Sequence, residues 1–225
     1  MKFMKLAVLF SGGKDSCYAA YLMQQRGHEL VCLITIFSKN KESYMFHTPS
    51  IEKTKKQAEV MDLPILTHKS KGKKEAELKD LKKAIRNAIR EYKIDGIVTG
   101  ALHSVYQTTR IQKICDELGV QCLNPLWHKD EIKYLSELIN NGFKVIITGV
   151  AAYPLDENWL GREINHSFIN EVISLKEKYK IHPAGEGGEF ETFVLDCPLF
   201  KRPLKIKDNK ISGEKNSWQM EIEVE

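Results

Sequence analysis

Lys5-Leu6-Ala7-Val8-Leu9-Phe10, followed at once by Ser11-Gly12-Gly13-Lys14-Asp15-Ser16, is the stretch that decides the fold. The first six residues form an apolar run of strand length, and the pattern from about Ser16 to Arg26, stopped by Gly27, is helical. The two glycines of the turn allow positive φ and let backbone N–H groups come close to a ligand. A helix start adds orphan N–H donors and the positive end of the helix dipole, which together make an anion site. Lys14 adds a mobile positive charge suited to phosphate oxygens, and Asp15 suits a magnesium ion carried by a phosphate.

Outward from this unit the same alternation continues. Residues 30–37 read as a strand, and Thr48-Pro49 as the opening of a helix that runs to about Met61. Residues 64–68 read as a weaker strand, and Leu78, Leu81, Ile85, Ile89 and Tyr92 mark one long amphipathic helix. A strand at 96–99, a helix at 105–118 punctuated by Gly119, and a strand at 120–125 complete the series. Strands alternating with crossover helices predict an α/β fold, a parallel sheet flanked by helices. Ligands in such sheets bind beyond the carboxyl ends of the strands, which directs attention to the loops 11–16, 38–47, 100–107 and 126–130.

The second half predicts a smaller α+β domain. Ile132, Leu135 and Ile139 mark a helix, Lys144–Val150 a strand, and residues 164–179 another helix. Asp208-Asn209 reads as a two-residue hairpin turn between strands at 204–207 and 210–212, and residues 219–224 as a terminal strand. The domain boundary falls near Leu126, giving domains 1–126 and 127–225.

The chain has 225 residues, 42% hydrophobic and 28% charged, with a net charge of only +4. Those proportions exclude disorder as the main state and give no sign of a nucleic-acid partner. Lys2 and Lys5 precede an apolar run, but Ser11-Gly12-Gly13 cuts it short of a secretory segment. The apolar stretch at 145–155 is far below the roughly 20 residues of a membrane helix. Cys17, Cys32, Cys115, Cys122 and Cys197 contain no Cys-x-x-Cys pair. A reduced, cytoplasmic chain with no membrane partner is the expectation. Lys69, Lys71, Lys73, Lys74, Lys79, Lys82, Lys83 and Arg86 are interleaved with Glu75, Glu77 and Asp80, the pattern of a solvated helix face.

Two familiar phosphate loops are excluded. A Walker A loop needs glycine where Val8 stands and Ser or Thr where Asp15 stands, and no G-x-G-x-x-G occurs. Ser11-Gly12-Gly13-Lys14-Asp15-Ser16 resembles instead the loop of the PP-loop ATP pyrophosphatases, a HUP-like superfamily that cuts ATP between its α and β phosphates. Gly185-Glu186-Gly187-Gly188-Glu189-Phe190-Glu191-Thr192 resembles the Glu-Gly-Gly-Glu-x-Glu-Thr signature of diphthine–ammonia ligases. Ser43-Tyr44-Met45-Phe46-His47-Thr48-Pro49, Gly100-Ala101, Ser104-x-Tyr106-Gln107, Pro125-Leu126-Trp127 and Trp159-Leu160-Gly161-Arg162 extend the likeness over nearly the whole chain. Thr108 departs from it, standing where many relatives carry a basic residue, while Arg110 is retained.

The resemblance implies an enzyme that uses ATP and Mg²⁺ to adenylate the carboxylate of diphthine, a modified histidine of translation elongation factor 2. Ammonia then displaces AMP to give diphthamide. It implies a PP-loop ATP-binding domain over 1–126 and a substrate-binding domain over 127–225. Lys14, Asp15, Glu186 and Glu189 are then the catalytic candidates, with Asp15 on the ATP-bound magnesium. ATP contacts would come from Ser11, Gly12, Gly13, Lys14, Asp15, Ser16, Gly100 and Ala101. Substrate contacts in the first half would come from Tyr44, His47, Ser104, Tyr106, Gln107 and Arg110. Those in the second half would come from Trp159, Arg162, Glu186, Gly187, Gly188, Glu189, Glu191 and Thr192. Diphthine carries a trimethylammonium group, so the Glu-rich segment, with Phe190 inside it and Tyr153 or Trp159 nearby, is expected to offer carboxylates and aromatic faces. None of the five cysteines has the setting of a glutaminase nucleophile, which points to free ammonia. A PP-loop enzyme acting on another substrate, such as a tRNA, is the alternative. No nucleic acid is required by the first reading. A homodimer is one assembly compatible with the sequence.

Overall fold

The computed structural model describes residues 3–38, 51–70 and 74–225. The chain divides into two compact units, Met1–Trp127 and His128–Glu225.

In the first unit five strands form one parallel sheet. They are β1 (Lys5–Leu9), β2 (Glu29–Ser38), β3 (Ile65–Ser70), β4 (Gly96–Val98) and β5 (Gln121–Leu123), in the order β3-β2-β1-β4-β5. The helices between them are α1 (Lys14–Gln25), α2 (Ile51–Met61), α3 (Lys74–Tyr92) and α4 (Val105–Leu118). Leu6, Ala7 and Val8 are all fully buried, as strands covered on both faces require. Leu81, Ala84, Ile85 and Ala88 of α3 pack with Cys32, Ile34 and Ile36 of β2 and with Ile111, Ile114 and Cys115 of α4. That cluster is the helical periodicity of α3 translated into contacts, and Leu81→Ala would cost roughly 2–5 kcal/mol.

The chain moves from β1 outward to β2 and β3, then returns to the other side of β1 with β4. The strand order therefore reverses between β1 and β4, and in sheets of this kind ligands bind at the carboxyl ends of the strands at that reversal. The parallel α/β expectation is met. The strand expected at 120–125 is shorter in the structure. The amide of Val120 closes α4 onto the carbonyl of Cys115 at 3.1 Å, beyond Gly119 at φ +70°. Pro125 has no amide to extend the ladder.

The second unit contains α5 (Glu131–Asn140), β6 (Lys144–Val150), a short 3-10 turn (Glu157–Trp159), α6 (His166–Tyr179), β7 (Phe190–Asp196), β8 (Ile206–Glu214) and β9 (Ser217–Val224). Its antiparallel sheet has the order β7-β6-β9-β8. Asp130 caps α5 through the amide of Lys133 at 2.8 Å, and Asn165 caps α6 through the amide of Phe168 at 3.0 Å.

The hairpin turn expected at Asp208-Asn209 is not there. β8 runs straight through those residues, and the turn is Lys215-Asn216, with Glu214 opposite Ser217. Met220, Ile222 and Val224 alternate into the core along β9 and fix its register, and β8 is the exposed edge paired to it. Asp208 and Asn209 pair in regular register with Glu223 and Ile222, and the one irregularity of the ladder lies before them, between Ile206 and Asp208.

Candidate active site

The end of β1 is held toward β2 as far as Phe10, whose amide donates to the Ile34 carbonyl at 2.8 Å and whose carbonyl accepts from Thr35 Oγ1 at 2.7 Å. Then the chain turns. Gly12 has φ +81°, a left-handed conformation that favours glycine, and a Cβ there would stand 2.2 Å from Oε1 of Gln57, whose amide would have to shift. Gly13 is the N-cap of α1 and has no side chain to cap it. Helical geometry begins at Lys14, two residues before the sequence pattern suggested, so Lys14, Asp15 and Ser16 form the first turn.

The two serines brace this loop from within. Ser16 Oγ accepts from the Ser11 amide at 3.3 Å and donates to the Gly13 carbonyl at 3.1 Å, and it lies 3.2 Å from Ser11 Oγ. Lys14 is only 3% exposed, and its Nζ is 3.0 Å from both carboxylate oxygens of Asp15. The ion pair sits at a glycine-capped helix start, where the helix dipole and the backbone N–H groups favour an anion.

The loop after β4 reaches the same region. A Cβ on Gly100 would lie 2.8 Å from the backbone of Asp15 and Ser16, so the β4 loop lies directly against the start of α1. The Ala101 amide donates to Thr99 Oγ1 at 3.3 Å, and Thr99 Oγ1 in turn donates to Asn124 Oδ1 at 2.5 Å. Ser104 caps α4, accepting from the Gln107 amide at 3.3 Å. Thr108 donates its hydroxyl back to the Ser104 carbonyl at 3.0 Å. The Arg110 guanidinium sits 3.5 Å from the centre of the Tyr106 ring, and Nη1 donates to the Tyr106 carbonyl at 3.3 Å. Tyr44 and His47 lie outside the described residues.

In the second unit the Glu-rich segment splits into a turn and a strand. Gly185 at φ +71° and Gly188 at φ +84° make the turn, with Gly188 donating to the Gly185 carbonyl at 3.1 Å. His182 organises it. Its Nδ1 accepts from the amides of Ala184 at 3.2 Å and Glu186 at 3.4 Å, and its own amide donates to Glu189 Oε1 at 3.0 Å. Glu189 Oε2 is buried with no hydrogen-bond partner in the structure. Its neighbour Gly187 leaves room, because a Cβ there would stand 2.7 Å from Glu189 Oε1. The His182 ring also faces Glu131, Nε2 to Oε1 at 3.3 Å, and Lys176 reaches the other oxygen of Glu131 at 3.3 Å. Burial alone would raise the Glu131 carboxyl, but its own backbone amide, Lys176 and His182 together hold it below the ordinary glutamate range.

Glu191 and Thr192 belong to β7 rather than to the turn, with Glu191 opposite Gly149 on β6. Phe190 does not offer an open ring. It is 5% exposed and meets Phe168 edge-on at 5.7 Å between ring centres. Trp159 is equally buried, with Phe168 at its edge and the Arg162 guanidinium 4.2 Å from its ring centre. Arg162 is also ion-paired with Glu171. Of the aromatic residues proposed to face a cation, Tyr153 is the exposed one.

The family model of the diphthamide synthase N-terminal domain matches residues 4–122, and that of the C-terminal domain matches residues 130–224. The chain belongs to the diphthamide synthase family. A diphthine–ammonia ligase of Schizosaccharomyces pombe is 33% identical over 94% of this chain, which spans 38% of that longer protein. Those of Bos taurus and Homo sapiens are each 33% identical over 92% of this chain, which spans 85% of their length. A tRNA-specific 2-thiouridylase of Helicobacter pylori is 42% identical over only 62 residues, or 28% of this chain. A solved structure described as a predicted tRNA methyltransferase subunit of Methanocaldococcus jannaschii is 19% identical, with a TM-score of 0.40 over 78% of this chain and 88% of its own.

Within the diphthamide synthase frame, the first unit brings together Ser11–Ser16 and Gly100–Ala101 at the reversal of strand order. The second unit brings Glu186 and Glu189 onto one turn and sets Glu191 and Thr192 beside it. His182, Glu131 and Gln57 were not singled out from sequence. The only sequence sign of His182 is its place just before the glycine-rich segment, and Gln57 has none, because its contact with Gly12 joins residues 45 positions apart.

Proposed function

We propose that this protein is an AMP-forming diphthine–ammonia ligase that converts diphthine on translation elongation factor 2 to diphthamide. The observation that carries the reading is the buried Lys14 at the glycine-capped start of α1, with the β4 loop pressed against it at Gly100. That is a backbone-lined anion site with an ammonium beside it that a bound nucleotide triphosphate could share with Asp15. Asp15, with its side chain 31% exposed, is a hard oxygen ligand that would hold the magnesium ion of ATP. Bound there, the ion supplies charge neutralisation on the phosphates.

The reaction has two displacements. A carboxylate oxygen of diphthine bonds to the α phosphorus as the bond to the bridging β-phosphate oxygen breaks, releasing pyrophosphate. Ammonia then bonds to the acyl carbon, the acyl–oxygen bond to AMP breaks, and a proton is lost from nitrogen. Lys14 and the N–H groups of the loop stabilise charge on the departing pyrophosphate. Glu186 and Glu189, on a turn held by His182, serve the substrate half of the reaction by facing its cation or taking the proton from ammonia. Arg110 and Tyr106 at the start of α4, Trp159 with Arg162, and Glu191 with Thr192 are further substrate-side candidates. Tyr44 and His47 join them on the strength of the family motif. No helix among the described residues is long and apolar enough to cross a membrane. No nucleic acid is needed.

The test is incubation with ATP, Mg²⁺, ammonium and diphthine-bearing elongation factor 2. The factor should lose about 1 Da, as OH is replaced by NH₂ through an activated acyl group. A factor of unchanged mass, with tRNA modified instead, would overturn the assignment.

A further inference from the structure

Gln57, on α2, is fully buried, and its Nε2 donates to the carbonyl oxygen of Gly12 at 2.9 Å. The contact is close on both sides. The same amide stands where a Cβ of Gly12 would be, 2.2 Å from its Oε1 and 3.2 Å from its Cδ. The Gly12 carbonyl and the Gly13 N–H belong to one planar trans peptide, so they point in opposite directions. Drawing the carbonyl toward α2 therefore aims the Gly13 N–H away from it, on the exposed side of the loop. There that amide makes only a long contact with Ser11 Oγ, at 3.4 Å.

We infer that Gln57 is a positioning residue for nucleotide binding, which fixes the Gly12–Gly13 peptide so that the Gly13 N–H faces the phosphates. This rests on the reading of residues 11–16 as the ATP loop. Glycines on both sides of the peptide bond make that plane easy to rotate, and flipping it would present a carbonyl oxygen where an anion must sit. A side chain from another helix removes that freedom without touching the ligand. A side chain at Gly12 would meet the Gln57 amide, 2.2 Å from its Oε1, and would have to displace it.

Two variants of similar size test this, Gln57→Met and Gln57→Glu. The first removes the donor, and the second places a carboxylate against the Gly12 carbonyl. Affinity for ATP with magnesium and affinity for adenosine are measured on each by titration. The loop amides meet phosphates and not the nucleoside, so ATP affinity should fall about tenfold in Gln57→Met, the worth of one aligned hydrogen bond. It should fall further in Gln57→Glu, with adenosine affinity unchanged in both. In turnover the KM for ATP should rise more than kcat falls. Equal losses for ATP and adenosine would make Gln57 a packing residue and overturn the inference, as would two variants that bind ATP like the wild type. A wild-type protein that binds no ATP would instead overturn the reading of the loop itself.

Discussion

Lys14 and Asp15 are consecutive in the chain, and the ammonium of the first is 3.0 Å from both carboxylate oxygens of the second, at the start of α1. Lys14 is buried while the Asp15 side chain keeps 31% of its surface open. The pair therefore holds a positive charge inside the loop and a carboxylate at its edge. Lys14→Met should lower kcat by about 10²–10³, the scale for losing one charge stabiliser in a preorganised site. Asp15→Asn should depress magnesium-dependent turnover far more than adenosine binding. Equal losses in turnover and adenosine affinity would contradict the phosphate-side role of Asp15.

Gly100→Ala tests whether the two loops act as one site. The added methyl would meet the backbone of Asp15 and Ser16 at 2.8 Å, and backbone cannot swing aside. Unfolding free energy should fall by roughly 1–3 kcal/mol, the cost of overpacking, and ATP affinity should fall with it. Thermal denaturation and nucleotide titration on one preparation report both quantities. A fully stable variant with unaltered ATP affinity would separate the loops.

The cysteines bear on the nitrogen source. Burial pushes the thiols of Cys32 and Cys197 up to about 12, and Cys115, donating to Cys122 and buried as well, is also raised. Cys122 is lowered, because that same hydrogen bond favours its thiolate more than burial opposes it. Iodoacetamide at pH 8 should therefore label Cys122 before Cys32, Cys115 or Cys197, as peptide mass mapping would show. Glutamine should not replace ammonium in turnover by the purified protein.

Glu131 ties pH to the turn that carries Glu186 and Glu189. Its folded pKa is depressed, so its contribution to stability is present above the ordinary glutamate value and is lost as pH falls through the lower folded value. Glu131→Gln should flatten that part of the acid stability profile. The same variant removes the carboxylate that faces His182 and should slow amide formation while leaving ATP affinity within a few-fold of wild type. Glu186→Gln and Glu189→Gln should act in the same direction and more severely. If both of those variants turn over elongation factor 2 normally, the turn is structural.

The first unit was largely legible in the sequence because its signals are local. Strand, glycine turn and helix follow one another at residues 5–25, and the long apolar periodicity of α3 could belong to nothing but a packed helix. The second unit was read less well where pairing partners decide. Asp208-Asn209 has turn chemistry, but the alternation of Met220, Ile222 and Val224 sets where β8 must lie. Phe190 sits among glycines and glutamates and reads as part of a loop. It is instead the first residue of β7, and Phe168 of α6 gives it a buried place that no local pattern announces. Gln57 and His182 are the same lesson at the site, since each acts on a neighbour through a contact that exists only once the chain is folded.

We propose that the carboxylate of diphthine attacks the α phosphorus of ATP. The direct measurement supplies elongation factor 2 whose diphthine carboxylate is labelled with oxygen-18, together with ATP, Mg²⁺ and ammonium, and examines the nucleotide product by mass spectrometry. Adenylation followed by ammonia attack leaves one labelled oxygen on AMP and one in the new amide. Release of ADP with labelled orthophosphate, or of AMP free of label while the amide forms, would contradict it.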